Sequence, residues 1–407
     1  MNCRHCHQPL QHVFLDLGFS PPSNSYLKRE DLSKSERYYP LKLFVCDHCW
    51  LVQTDDYTQA KELFSPDYAY FSSISKSWLE HAVRYSNMIT NRLGLDGNSL
   101  VIEVASNDGY LLKNFVAKGI PCFGIEPTAS TAVAAEKLGI HVVQEFFGEI
   151  LGKRLLEEGK QADLIIGNNV YAHVPNINDF TVGLKIALKP TGTITLEFPH
   201  LMRLLEHTQF DTVYHEHFSY LSLFSVSRVF ERAGLRVYDV EELPTHGGSL
   251  RIYGCHASDV RVDSGSVNAL LKEEEHRGMR NLDTYLAFQA QADRVKDDLL
   301  LFLIENKRAG KRVVGYGAAA KGCTLLNYAG VKPDLLPFVC DAGPSKQGKY
   351  LPGSHVPILH PQAIRENKPD VVLILPWNIR DEVMQQLYFV RDWGGKFAVA
   401  VPTIQVI

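Results

Sequence analysis

The sequence predicts an α/β protein with two parallel, doubly wound sheets behind a small N-terminal module. From Ser99 onward, short apolar runs alternate with helical patterns, and the alternation resumes after Lys311, as is typical of parallel sheets covered by helices. Two CxxC pairs within the first fifty residues predict that a metal ion holds the module together. Because 407 residues exceed what one hydrophobic core usually supports, we expect several domains.

The composition is that of an ordinary globular protein. Hydrophobic residues make up 45% of the chain and charged residues 22%, and the formal net charge is −4. These values argue against a disordered chain and against a strongly basic nucleic-acid-binding protein. No stretch reaches the roughly 18 apolar residues that a membrane span needs, and the first residues lack the apolar run of a secretory signal. We therefore expect a cytoplasmic protein, a monomer or a homodimer, that binds neither nucleic acid nor membrane.

The N-terminal module covers residues 1–70 in this interpretation. Its apolar segments are short and interrupted by proline and polar residues, so we expect the module to need a metal ion or covalent cross-links to fold. Two CxxC knuckles offer the four soft ligands that tetrahedral zinc prefers, and a site closed by four sulfur atoms would be structural. Unmetallated thiols or a redox pair are the alternatives. The predicted zinc ligands are Cys3, Cys6, Cys46 and Cys49.

The first α/β domain is expected over residues 71–260. A helix from about Lys76 to Leu93 leads into it, because apolar residues recur there at helical spacing. Two strand-like pieces between residues 236 and 256 surround the turn Thr245–Gly248, and we expect them to close the sheet as an antiparallel pair.

A polar turn follows the first strand of this domain, in the stretch VIEVASNDGYLL. Exposed amides at such a turn, before a helix, suit a polar ligand at the carboxyl edge of the sheet. The next strand ends in Glu126, whose carboxylate can accept both ribose hydroxyls of an adenosine, and a later strand ends in Asn168 and Asn169. An ordinary polar loop in a dinucleotide-binding oxidoreductase is the alternative.

Histidines gather between residues 173 and 217 and end in the segment Tyr214–Tyr220. A neutral imidazole is suited to removing a proton beside a carbonyl near neutral pH. In an extended strand, alternate side chains of this segment would face opposite ways, whereas a turn would aim several at one pocket. Metal binding by His215, Glu216 and His217, or a buried structural network, remain alternatives.

A charged helical connector is expected over residues 261–310, broken near Gly278, and a second α/β domain over 311–407. The stretch VVGYGAAAKG follows a strand and opens a helix, so its glycines allow close approach of a phosphate. Taken alone it is a GxGxxA dinucleotide fingerprint, with Asp341 as the ribose acid. An NAD-dependent oxidoreductase is therefore the alternative function.

Together, these motifs resemble the nucleotide-sugar C-methyltransferase family, whose members install methyl branches in sugars such as mycarose and tetronitrose. The resemblance covers almost the whole chain: the four-cysteine module, EVASNDG with Glu126, NNVYAHVPN, YHEHFSYLS, HGGSLR, and VVGYGAAAKG with DAGPSKQGKYLPGS. It implies a structural zinc module, a central class I, Rossmann-like domain that binds S-adenosylmethionine, and a C-terminal Rossmann-like domain that binds the nucleotide sugar.

The resemblance also implies the reaction and the roles of residues. The substrate would be a nucleotide-linked 4-keto-6-deoxy or 2,6-dideoxy hexose, carried on dTDP, and C3 would be methylated through an enolate. His217 would be the general base, with Tyr214 and Glu216 beside it, and His173 with Tyr68 or Tyr70 would orient the sugar. The implied cofactor-binding residues are Glu103, Ser106, Asn107, Asp108, Gly109, Glu126, Pro127, Asn168 and Asn169. The implied substrate-binding residues are Tyr316, Gly317, Lys321, Asp341, Ser345, Lys346 and Lys349.

Two further functions stay open at the level of sequence. A histidine base would serve equally for O-methylation of a sugar hydroxyl. A zinc-bearing assembly protein could also keep a methyltransferase fold without the activity.

Overall fold

The computed structural model describes residues 1–55 and 72–407, and these form three sheets. The strand orders are β1-β2-β3-β9, β10-β11-β8-β7-β4-β5-β6 and β14-β13-β12-β15-β16-β17. We call them the N-terminal, central and C-terminal sheets. The predicted α/β class is confirmed, with a small N-terminal cysteine-containing module that precedes two larger sheets in the sequence. Tyr68 and Tyr70 lie outside the described residues.

The N-terminal sheet is antiparallel and takes its last strand from far along the chain. Its strands are β1 (His12–Ser20), β2 (Tyr39–Val45), β3 (Val52–Thr54) and β9 (Ser219–Tyr220). Strand β9 belongs to the histidine-rich segment, and it pairs Tyr220 with Val52 and Ser219 with Gln53. The backbone of the module is thereby hydrogen-bonded to the segment that carries the predicted base.

The two cysteine knuckles meet beside this sheet. The four sulfur atoms all lie within 4.8 Å of one another, and two of the pairs are 3.5 Å apart. Four thiolates around a zinc ion at about 2.3 Å would be separated by nearly the same distances. Gln53 also donates a hydrogen bond to the Cys3 sulfur, over 3.2 Å. Residues around metal sites commonly form such hydrogen bonds to the metal ligands. The donor set and its geometry therefore fit structural zinc.

The central sheet is parallel except for a hairpin at one edge. Its strands are β4 (Val101–Val104), β5 (Cys122–Ile125), β6 (His141–Val143), β7 (Ala162–Asn168), β8 (Leu188–Pro199), β10 (Leu235–Leu243) and β11 (Ser249–His256). Strand β11 runs antiparallel to both β8 and β10, so the predicted closing pair is confirmed. The helices around the sheet are Lys76–Leu93, Lys113–Val116, Ala129–Glu136, Glu149–Glu157, Ile177–Ala187, Leu201–Glu206 and Leu223–Ala233.

The helix Lys76–Leu93 has the predicted bounds because both ends are capped. The Ser75 hydroxyl accepts a hydrogen bond from the Trp78 amide, and Gly94 ends the helix in the left-handed conformation (φ 64°). Its buried face packs on the central sheet through Ala82, Tyr85 and Ile89. This packing carries Trp78 to the carboxyl edge of the sheet.

The connector contains the helices Gly265–His276, Leu282–Leu286 and Phe288–Arg308, with the expected break at Gly278. It also packs on the N-terminal sheet: Phe14 stacks on Phe288, and Trp50 stacks on Tyr285. Sequence analysis gave the connector only a linking role, because contacts between residues so far apart in sequence leave no periodic signal.

The C-terminal sheet is parallel apart from its last strand. Its strands are β12 (Val313–Tyr316), β13 (Val339–Cys340), β14 (Ile358–Leu359), β15 (Val371–Ile374), β16 (Lys396–Val399) and β17 (Gln405–Val406). Its α-helices are Ala320–Tyr328, Gln362–Asn367 and Arg380–Gln386. Short 3-10 helices occupy Arg29–Ser33, Ser72–Ile74, Tyr171–His173, Phe210–Thr212, Thr245–Gly247, Trp377–Ile379 and Tyr388–Trp393. Within the described residues, every helix is too short or too polar to cross a membrane.

The cysteine geometry predicts that Cys46→Ser loses zinc and lowers the melting temperature by about 10 °C, because metal binding contributes several kcal/mol to folding such modules. Elemental analysis and thermal unfolding measure both effects. Cys122→Ser, which changes a cysteine outside the cluster, is the matched control and should keep the metal. Full zinc occupancy in Cys46→Ser would refute this assignment.

Candidate active site

A cavity of about 710 Å³ opens at the carboxyl edge of the central sheet. Its walls come from all three sheets and their loops. Val104, Ile125 and Asn168 mark the ends of three parallel strands, Asn24 comes from the N-terminal module, and Lys321 comes from the first turn of the helix Ala320–Tyr328. Ligands of doubly wound proteins bind at this edge of the sheet.

The loop after β4 has an unusual backbone. Ala105, Asn107 and Gly109 all have positive φ angles (57°, 49° and 77°). A Cβ atom at Gly109 would lie 2.5 Å from the Ile140 side chain and 3.3 Å from the Ala135 backbone, so only glycine fits there. The resulting tight turn directs the Asn107 amide at the end of β5.

Glu126, at the end of β5, is held by this turn. Its carboxylate accepts hydrogen bonds from the amides of Asn107 (3.0 Å) and Thr128 (2.8 Å), and each oxygen keeps a lone pair for a ligand. Side-chain oxygens of Asn168 and Asn169, which line the cavity, are buried without a hydrogen-bond partner among the described residues. The ammonium, ribose hydroxyls and adenine amine of S-adenosylmethionine are donors, so this set of acceptors fits the cofactor.

The predicted cofactor-binding residues separate into two layers. Those that line the cavity are Asn107, Glu126, Pro127, Asn168 and Asn169. Those that lie behind its wall are Glu103, Ser106, Asp108 and Gly109. Burial, together with the nearby carboxylates of Asp108 and Glu126, raises the pKa of Glu103 well above its usual range. This shift favours the protonated form of Glu103, which is buried beneath the loop.

The YHEH segment forms a turn, not an extended strand. The amide of His217 donates to the carbonyl of Tyr214 (3.0 Å), and Tyr214, Glu216 and His217 all line the cavity. His215 points away, within 3.2 Å of the Pro40 carbonyl. Because His215 and His217 diverge, the geometry gives no support to the metal alternative; in the parts of the chain described, only the cysteines form a metal-binding group.

His217 lies among aromatic rings. Its ring centre is 4.1 Å from that of Tyr214, 4.6 Å from His173 and 5.8 Å from Tyr220. Burial lowers the pKa of His217 well below its usual value, and the charge of Lys321 adds to this effect. A hydrogen bond with the Thr212 backbone acts in the opposite direction. The lowered pKa favours the neutral imidazole, the form in which a ring nitrogen can accept a proton.

The N-terminal module holds this turn from two sides. Asn24 donates to the carboxylate of Glu216 over 2.7 Å. Arg4, inside the first zinc knuckle, donates to the carbonyls of Thr54 and Pro175, and its guanidinium lies 5.5 Å from the Phe218 ring centre. Sequence analysis missed Asn24, because a single asparagine in a polar, proline-interrupted stretch belongs to no motif.

His246, at the β10–β11 turn, also lines the cavity and was not among the predicted site residues. Its Nε2 accepts from Asn169 Nδ2 (3.1 Å), and its ring centre is 5.2 Å from that of Trp78. His246 and Asn169 both have positive φ angles (55° and 53°), a strained conformation typical of functional sites. Burial and the charge of Lys321 lower the pKa of His246 to about 4, so the ring is neutral. The HGG sequence was the signal that could have identified it.

Glu197, at the end of β8, connects the elements that carry His246 and Trp78. Its carboxylate accepts from Arg251 (2.8 Å), His81 (2.9 Å) and Thr245 (3.0 Å), which come from β11, the helix Lys76–Leu93 and the His246 turn. Burial alone would raise the pKa of Glu197, but the His81 hydrogen bond and the Arg251 charge lower it to about 2. This buried ion pair sets the position of His246 and Trp78.

The C-terminal sheet contributes fewer of the predicted residues to the wall. Lys321 and Lys346 line the cavity. Asp341 accepts from the amides of Ala318 and Gly343 (both 2.7 Å), and it thereby braces the glycine loop. The other predicted substrate-binding residues lie outside this wall: Tyr316, Gly317, Ser345 and Lys349.

Three family models match this chain. They are described as "Putative zinc binding domain" (residues 3–64), "Methyltransferase domain" (78–240) and "C-methyltransferase C-terminal domain" (244–402). The C-methyltransferase NovU of Streptomyces niveus is 33% identical over 405 residues, which are 100% of this chain and 96% of NovU. The chain belongs to the C-methyltransferase family.

This C-methyltransferase therefore has the class I methyltransferase fold, S-adenosylmethionine as its cofactor and the four-cysteine zinc module, as the sequence predicted. Among solved structures, a methyltransferase from Clostridium acetobutylicum is similar at a TM-score of 0.35, with 9% identity, over 44% of this chain and 92% of its own. Magnesium protoporphyrin IX methyltransferase from Synechocystis is similar at a TM-score of 0.34, with 12% identity, over 44% and 81%. These scores are too low to add to the assignment.

The Glu197 ion pair predicts that Glu197→Gln destabilises this C-methyltransferase by about 3 kcal/mol, since Arg251 loses a buried carboxylate partner. Urea denaturation measures the change. Glu242→Gln is the matched control, because its ion pair with Arg203 is exposed and should contribute less than about 1 kcal/mol. Equal stability of the two variants would show that the buried Glu197–Arg251 pair contributes no more to folding than the exposed pair.

Proposed function

We propose that this C-methyltransferase methylates C3 of a nucleotide-linked 4-keto-6-deoxy or 2,6-dideoxy hexose, carried on dTDP, through an enolate. The observation that carries the proposal is the position of His217, which lines the same cavity as Glu126 and the start of the helix Ala320–Tyr328. A base beside a cofactor site is what removal of a carbon-bound proton requires. The printed name of NovU, a C-methyltransferase, supports transfer to carbon.

At the cofactor end, Glu126 holds the ribose hydroxyls, and Asn107 and Pro127 border the nucleoside. Asn168 and Asn169 offer acceptors to the amino acid part of the cofactor. When bound, S-adenosylmethionine supplies an electrophilic methyl group. The carboxylates of Glu126, Glu145 and Asp179 in the wall favour a positively charged ligand there.

At the reaction centre, His217 takes the C3 proton of the sugar. A hydrogen bond with the Thr212 backbone favours the imidazolium that forms. Tyr214, tilted against the imidazole, and His173 limit its rotation, and Glu216, oriented by Asn24, hydrogen-bonds the sugar. Tyr68 or Tyr70 completes the pocket in this proposal. Holding the enolate carbon about 3 Å from the methyl group adds to the rate by positioning.

The nucleotide sugar lies against the C-terminal sheet in this proposal. The glycine loop at Tyr316 and Gly317, braced by Asp341, allows close approach of the diphosphate. Lys346, whose ammonium donates to the Ala318 carbonyl over 2.8 Å, is the best-placed phosphate contact among the described residues. Ser345 and Lys349 extend this surface, and Lys321 lies deeper in the cavity.

Deuterium exchange at the sugar carbon next to the ketone tests the proposal. We expect the wild type, with adenosylhomocysteine bound, to exchange this hydrogen with solvent, and His217→Ala to exchange it at least about 100-fold more slowly. His215→Ala is the matched control, because His215 is equally buried in the same turn but points away from the cavity. NMR or mass spectrometry of the recovered sugar measures the rates.

Each result has a distinct meaning. Exchange by His217→Ala at the wild-type rate would remove His217 as the base. No exchange by the wild type, together with a methyl group found on a sugar oxygen, would replace the proposal with O-methylation.

The depressed pKa of His217 predicts the pH dependence of kcat/KM. The base acts only when deprotonated, so activity falls as pH drops through its pKa, and burial places this pKa below the ordinary value of about 6.5. We expect kcat/KM not to fall as the pH is lowered from 8 to about 6.5. A loss of activity that begins above pH 7 in the wild type would contradict this environment for the base.

A further inference from the structure

Lys321 occupies a position that binding of the nucleotide sugar does not explain. It stands in the first turn of the helix Ala320–Tyr328 and lines the cavity together with His217 and His246. Its ammonium donates to Asn378 Oδ1 over 2.7 Å and lies 4.4 Å from the centre of the Trp377 ring. These contacts fix a cation in the wall of the cavity that His217 also lines.

Trp377, which contacts the Lys321 ammonium, also contacts two segments outside the C-terminal sheet. Trp377 donates its indole N–H to Asp211 over 2.7 Å, beside the segment that carries His217. Its ring also packs so closely on Gly247 that a Cβ atom there would lie 2.4 Å from the indole. Gln209, in the segment before the YHEH turn, donates a hydrogen bond to the Gly247 carbonyl over 2.7 Å and so connects this segment to the His246 turn. Lys321 is therefore fixed relative to both the YHEH turn and the His246 turn.

The charge of Lys321 also acts on the proposed base. Burial lowers the pKa of Lys321 to about 8, and the Asp211 carboxylate opposes this effect, so the ammonium stays protonated at neutral pH. The same charge contributes to the lowered pKa of both His217 and His246. A cation that disfavours protonation of a nearby imidazole stabilises, by the same Coulomb interaction, an anion that forms beside that imidazole.

We infer that Lys321 is a catalytic residue whose ammonium stabilises the enolate oxygen. The inference rests on the proposed function. His217 forms a bond to the C3 proton, the C3–H electron pair becomes the C3–C4 double bond, and the carbonyl electron pair moves to oxygen, where Lys321 stabilises the negative charge. When C3 takes the methyl group, the carbonyl re-forms and the sulfonium becomes a neutral thioether. His217 then releases its proton to solvent. Such electrostatic stabilisation contributes about 100-fold to 1,000-fold in rate.

The competing role is a contact to the diphosphate, and Lys346 provides the comparison. Both lysines line the cavity. Lys346, however, is held at the glycine loop, where it donates to Ala318 and lies 5.4 Å from the Tyr26 ring centre. A cation needed for the enolate acts mainly on kcat, whereas a cation that binds phosphate acts mainly on KM.

The test compares Lys321→Met with Lys346→Met. For Lys321→Met we expect kcat and the deuterium-exchange rate at saturating sugar to fall about 100-fold, with KM changed less than about threefold. For Lys346→Met we expect KM to rise about tenfold and the exchange rate at saturation to change less than about threefold. Calorimetric binding of the 4-hydroxy nucleotide sugar, which has no ketone, should be weakened by Lys346→Met and unaffected by Lys321→Met.

The opposite pattern overturns the inference. If Lys321→Met raises KM, weakens binding of the 4-hydroxy sugar and exchanges at the wild-type rate, Lys321 is a phosphate contact. Thermal unfolding and adenosylhomocysteine binding show whether the variant is folded; if it is not, Lys321→Arg keeps the charge and should retain more of the exchange rate than Lys321→Gln. Equal exchange by these two variants also rejects the role. Failure of the proposed function is distinguishable, because the wild type itself would then show no exchange.

Discussion

The pairing of β3 with β9 is the interaction on which the candidate site depends. It joins the backbone of the zinc module to Ser219 and Tyr220, two and three residues beyond His217, so the module positions the proposed base from outside the central sheet. Arg4 and Asn24 add side-chain contacts to the same turn. A turn of four residues has little structure of its own, and here its C-terminal side is held by hydrogen bonds of Phe218 with Thr54 and Ala172. In the proposed mechanism zinc would act only indirectly, by ordering the edge to which the turn is attached.

The cavity separates charges along its length. Carboxylates border the cofactor end, three neutral histidines occupy the middle, and the lysines lie toward the C-terminal sheet. In the proposed function, a cationic cofactor and an anionic nucleotide sugar are drawn to opposite ends by such an arrangement. The reacting carbon and the methyl group would then meet in the middle, beside the neutral histidines.

The parts of the structure that depend on local pattern were predictable from sequence. The helix Lys76–Leu93, the break at Gly278 and the β10–β11 hairpin all follow from periodicity, capping and turn residues. The cofactor loop and the cysteine cluster follow from short motifs. The contributions of Asn24 and of the stacked Trp50 and Tyr285 were not predictable, because they come from contacts between residues far apart in sequence.

The direction of side chains in the YHEH segment shows the same limit more sharply. Alternation along a strand would have placed His217 opposite Glu216, yet the turn brings both into the cavity and turns His215 outward. Tertiary hydrogen bonds, to Ala172 from the Phe218 amide and across β3–β9, decide this geometry. Their consequence is chemical as well as structural. Burial lowers the pKa of His217, so in the proposed mechanism the surroundings must stabilise the enolate more than they destabilise the imidazolium. The proposed role of Lys321 meets this requirement, because the cation that disfavours the imidazolium favours the anion formed in the same step.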